Sequence, residues 1–211
     1  MDYSGVARGL RHELLLICGA TGLLGVVAPL VAFGVSAAIL PTHDLLADTI
    51  SALAEGPRAW IMDLGFYLQA AGLLGLAIGA AHLHLGRWGW SLGVLCLALT
   101  ALAVTLLGIW DEFHTAGDNP PGMTVHTKIT FALGPLFLVG PLAMAPGARQ
   151  VWPAAAWSFG AAAVGWVVLA AAFKLVPTGI DGALEKLAFL ATLGWQVPLA
   201  LILLDAGRRK V

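Results

Sequence analysis

Long apolar runs alternate with short polar gaps along this chain. The runs cover about 14–40, 59–83, 88–110, 126–146, 154–176 and 183–204. Each is long enough to cross the hydrocarbon layer, which takes about 20 mostly apolar residues over about 30 Å. In lipid the backbone finds no water to bond, so every run predicts a helix. Gaps with Gly or Pro at 84–87 and 147–153 join neighbouring runs into helical hairpins. The pattern predicts an all-α polytopic membrane protein: a bundle of six transmembrane helices, one domain over residues 1–211.

The first run follows Arg8 and Arg11 and could be mistaken for a signal peptide. It continues from Leu14 to about Leu40, beyond the roughly 7–15 residues of a signal core. A retained span is expected.

The first polar gap, THDLLADTISALAEGP (Thr42 to Pro57), has a second period inside it. Leu45, Leu46, Ile50 and Leu53 fall on one helical face, and Asp44, Asp48, Ser51 and Glu55 on the other. With Thr42 as N-cap and Gly56-Pro57 as a stop, a short amphipathic helix is expected in this loop. Stacked carboxylates repel, so the polar face suits water, a cation or a proton.

Composition sharpens the class. The chain is 59% hydrophobic and 11% charged, with a mean hydropathy of +0.88; soluble domains carry about a quarter charged residues. The net charge of −1 and the placement of the charges leave no nucleic-acid surface. With both ends on one side, that side holds Arg8, Arg11, Arg87, Arg149, Arg208, Arg209 and Lys210, seven of the eleven basic residues. The positive-inside rule makes it the cytoplasm, in a cell inner (plasma) membrane. Nine of the twelve acids then fall outside, all but Asp2, Glu13 and Asp205.

Other features read as packing. Gly75 and Gly79 form a GxxxG pair, and the fifth run is rich in Ala and Gly; small residues let helices approach in lipid. Pro135, Pro141 and Pro198 are expected to kink their helices. Trp60, Trp88, Trp90, Trp110 and Trp152 stand near span ends, as an aromatic belt would. Cys18 and Cys96 lie inside apolar runs and fit inert, buried thiols.

Chemistry-bearing residues gather in the outer gaps. The second, WDEFHTAGDNPPGMTVHTK, carries Asp111 and His114 one helical turn apart and ends with His126 at the start of the fourth span. The third carries Lys174, Asp181, Glu185 and Lys186. Asp63, about a turn inside the second span, should face the bundle interior. His43, His114 and His126 are candidate ligands for a divalent metal such as zinc, and Asp48, Ser51 and Asp111 are candidate catalytic groups. Haem fits poorly, because His12, His82 and the outer histidines do not pair well as axial ligands.

The stretches LLADTISALAEGPRAWIMDLGFYLQAAGLL and GIWDEFHTAGDNPPGMTVHTKITFALGPLF resemble domain-of-unknown-function family 998. Its D-x-x-S-x-L before the second span matches Asp48, Ser51 and Leu53; its segment after the third matches at Asp111, and the histidine opening the fourth is His126. The family's Phe-Pro is absent from GIWDEF. The resemblance implies a six-helix membrane fold and brings no activity with it. A more distant analogy is to alkaline-ceramidase-like hydrolases, which set Ser, Asp and three His around zinc; their HxxxH and seventh span are missing here.

Three functions follow as expectations. One is a metal-dependent hydrolase acting on a membrane lipid at an extracytoplasmic His/Asp/Ser site. Another is a non-catalytic subunit, lipid-binding or assembly protein, packing as a homo-oligomer or against a membrane protein partner. The third, ion-coupled transport through Asp63, ranks last because the spans carry almost no charge at mid-depth.

Overall fold

The computed structural model describes residues 1, 3, 9–40, 42–86, 88–109, 124–176 and 179–209. Among them the six apolar runs form six helices and no strand: α1 His12–Ile39, α2 Trp60–Leu83, α3 Trp88–Leu107, α4 Val125–Val151, α5 Pro153–Leu175 and α6 Asp181–Arg208. All six are long and apolar enough to cross a membrane. Each packs on its neighbour in chain order, α6 returns to α1, and α2 also meets α6 across the ring. An even number of crossings leaves both termini at one end. The last turns of α1, α3 and α5 and the first turns of α2, α4 and α6 share the other, here called the loop end.

Close approaches set the ring. A Cβ on Gly72 would lie 2.6 Å from Gly25 Cα, so α1 and α2 touch backbone to backbone. Gly75 meets Thr21 of α1, and Gly79 meets Cys18 of α1 and Leu203 of α6. The GxxxG pair is therefore internal packing. The fifth span differs: Gly160 faces open space, while Trp157, Val164 and Val168 are exposed.

Large side chains fill the middle, with Trp90, Trp195, Phe159, Leu97 and Met144 fully buried. Trp90 departs from the expected belt. It is buried and its Nε1 donates to Ala80 O at 2.7 Å, whereas Trp60 and Trp88 do face outward. Cys18 and Cys96 are buried, free thiols. Helix α4 runs on through Pro135, Pro141 and Pro146 to Val151, past the expected end near 146. Neighbouring helices tolerate such prolines in a span, and Pro153 at the first turn of α5 marks the real break.

Candidate functional site

The first gap does not form one continuous helix. Asp44 Oδ1 accepts the N–H groups of Leu46 and Ala47, and Asp48 Oδ2 accepts that of Asp44 at 2.8 Å. These local bonds compete with a helical ladder. A tight turn results, followed by short 3-10 turns at Ser51–Ala54 and Gly56–Arg58. Of the expected apolar face, Leu45 and Leu46 are exposed, while Ile50 and Leu53 are buried with Ala32, Ala54 and Met62.

Two residues of α6 clamp this loop onto the bundle. Glu185 Oε2 accepts the Ile50 N–H at 2.6 Å. Lys186 Nζ donates to the carbonyls of Asp48 at 2.5 Å, Leu45 at 3.1 Å and Gly182 at 3.2 Å. Ala183 N–H adds a bond to Leu46 O, and Gly182 meets the Asp48 carbonyl where no side chain would fit. Ordered carbonyls around one ammonium are a strong, charge-assisted tether.

The clamp delivers Ser51. Its Oγ lies 3.2 Å from His126 Nε2. Thr124 caps α4, its Oγ1 accepting the Thr127 N–H at 3.1 Å. His126 is therefore the second residue of the helix, buried, while Val125 before it is exposed. Thr130 Oγ1 donates back to His126 O at 3.0 Å.

Ser51 and His126 both line a cavity of about 210 Å³ that runs between α2, α3, α4, α5 and α6. Its wall is aromatic: Phe66, Phe131, Phe137, Trp166, Phe173 and Phe189. Gln69, Thr130, Thr192, Glu185 and Lys174 are the other polar liners. The Lys174 ammonium stands 4.6 Å from the centroid of Phe173 and 5.5 Å from that of Phe131, and pairs with no described carboxylate. A smaller cavity of about 120 Å³ lies behind Ile50, Phe66 and Phe189.

The candidate residues thus divide. His43 makes contacts of its own: its Nδ1 stands 3.6 Å from Asp48 Oδ2, and its ring meets Phe33 edge-on. Burial, then the Lys186 ammonium, pushes the His43 imidazole below its ordinary value, against the pull of Asp48 and Asp44. Asp44 is held below the usual carboxylate range by the Leu46 and Ala47 N–H groups. Asp111 and His114 lie outside the described residues. Among the described ones, no three His, Cys, Asp or Glu side chains gather closely enough to hold a metal ion. On the opposite end, His82 Nε2 accepts the Arg11 N–H at 2.8 Å, so it serves the start of α1. Asp63 is half-buried in the first turn of α2.

With this geometry in place, one comparison is decisive. Residues 23–202 match the family described as "Protein of unknown function (DUF998)". The chain belongs to that family. The match runs from within α1 to within α6 and so takes in the first loop, His126 and the whole cavity. No curated protein and no solved structure matches. The sequence of this DUF998 chain singles out Ser51 and His126; it does not single out Gln69 and Thr192, polar residues inside apolar runs with no spacing signal. Glu185 and Lys174 were visible only as loop charges.

Proposed function

We propose that this DUF998 protein is a membrane hydrolase acting on an acyl-ester lipid at the extracytoplasmic face, with Ser51 as nucleophile and His126 as base. The observation that carries the reading is the 3.2 Å Ser51–His126 contact on the wall of an apolar cavity. A nucleophile needs a base within hydrogen-bond reach, and an acyl chain needs an apolar slot beside it. The basic residues on the termini side support an extracytoplasmic loop end.

With its proton on Nδ1, His126 accepts the Ser51 O–H through Nε2. As Oγ attacks the ester carbonyl, that proton passes to Nε2. It then moves to the leaving oxygen as the ester C–O bond breaks, leaving the acyl group on Ser51. Water, deprotonated by the same imidazole, releases the acid and restores the serine. Lys174 at the rim supplies positive charge for a lipid phosphate. Asp48 holds the loop turn, since its Oδ2 already serves Asp44 and His43.

Purified protein in vesicles of defined acyl-ester lipids tests this. Wild type releases fatty acid, and Ser51→Ala lowers the rate by on the order of 10²–10⁴. The same apolar cavity also favours a second, non-catalytic reading as a lipid-binding protein. Bound lipid without turnover would select it.

A further inference from the structure

Two glutamines are buried between the helices, and they differ. Gln196 on α6 is 1% exposed and its Nε2 donates to Thr192 Oγ1 at 3.0 Å. Gln69 on α2 is 3% exposed, lines the main cavity, and bonds to no described residue. The two threonine hydroxyls on the same cavity wall already give their protons elsewhere: Thr130 Oγ1 donates to His126 O and Thr192 Oγ1 to Phe189 O. A carboxamide carries two donors and an acceptor, and taking it out of water without a partner is costly. Within a span the cost is sharper, because lipid offers no bond in return. Gln69 stands well inside α2, about 13 Å along the axis from its first residue, Trp60. That depth separates it from the Ser51–His126 pair at the loop end.

We infer that the cavity takes a lipid chain bearing a hydroxyl part-way along its length, and that Gln69 recognises this hydroxyl. A hydroxyl accepts from Nε2 and donates to Oε1 at one point. Plain hydrocarbon answers neither. A trans secondary amide holds its donor and acceptor on opposite sides, so one carboxamide does not reach both. The inference rests on the cavity being an acyl-chain site and is independent of cleavage by Ser51.

The test is equilibrium binding of free fatty acids to the purified protein in detergent, read by displacement of radiolabelled palmitate. Palmitate is compared with isomers whose hydroxyl is walked along the chain. One isomer should bind about tenfold tighter than palmitate, the worth of a hydrogen bond to a buried partner. Gln69→Leu, which keeps the wall filled, should erase that preference while still binding palmitate; Gln69→Met should behave the same. Equal binding of every isomer, or a preference that survives both substitutions, overturns the inference and leaves the acyl-chain reading standing. Failure of wild type to bind any fatty acid overturns both.

Discussion

Ser51 and His126 are 75 residues apart in sequence, yet their side chains meet at 3.2 Å. One rides on a loop of turns, the other on the second residue of a helix, and neither position is set by its own element alone. The contact exists because α6 holds the loop in place through Glu185 and Lys186.

The clamp should therefore be needed for the pair. Glu185→Ala leaves the Ile50 N–H without its acceptor, a loss of about 1–3 kcal/mol for a buried group. Lys186→Met removes three carbonyl contacts at once. Both should lower the melting temperature in detergent and speed proteolysis within 42–58, with lipid turnover falling alongside. Unchanged proteolysis in both variants would show that the loop holds itself.

Chain length should be readable from Gly134. It lines the cavity, and a Cβ there would meet nothing within 4 Å. Gly134→Leu fills part of a space of about 210 Å³ and, as Leu is the better helix former, should not weaken α4. The preferred acyl chain should shorten, measured as the ratio of short-chain to long-chain ester turnover. A ratio equal to wild type would mean that the chain lies elsewhere.

The α1–α2 crossing tolerates no side chain at Gly72. Gly72→Leu should overpack it by about 1–3 kcal/mol or more, seen as loss of monodisperse protein on size exclusion. Gly34, also on α1 but facing open space, serves as the control. Gly34→Leu should elute as wild type does.

Acid should destabilise the first loop through His43. Its folded-state value is lowered from 6.5, so below that pH the unfolded chain binds the extra proton. This contribution is fully present above about pH 6.5 and is lost as pH falls towards the lower folded value. The Asp44 contribution, also from a lowered value, is fully present above 3.8 and is lost only below it, as pH falls towards the lower folded value. Melting temperatures from about pH 7.5 to about pH 5 should drop for wild type and drop less for His43→Gln. Parallel slopes would remove His43 from the account.

Much of this is legible in the sequence. Run length and hydropathy mark all six spans, because lipid leaves the backbone one solution. Ser51 and His126 stood out as polar residues beside span ends. The first loop is helical only in the short turns Ser51–Ala54 and Gly56–Arg58; a four-three-four spacing of Asp44, Asp48, Ser51 and Glu55 says nothing of what each side chain bonds. Asp44 and Asp48 turned back onto their own backbone. His43 lies beside Asp48 in sequence as in space, but its rotation towards Phe33 depends on α1. Gln69 was hidden for a different reason: one amide in an apolar run carries no period, and only the neighbouring helices reveal which way it looks.

The central claim is that Ser51 is a nucleophile activated by His126. Intact-protein and peptide mass spectrometry after exposure to a fluorophosphonate probe measures this directly. One adduct is expected, on Ser51. It should be absent from Ser51→Ala and slowed by on the order of 10²–10⁴ in folded His126→Ala. A folded wild-type protein that takes up no probe at Ser51, or a His126→Ala variant labelled at the wild-type rate, would contradict it.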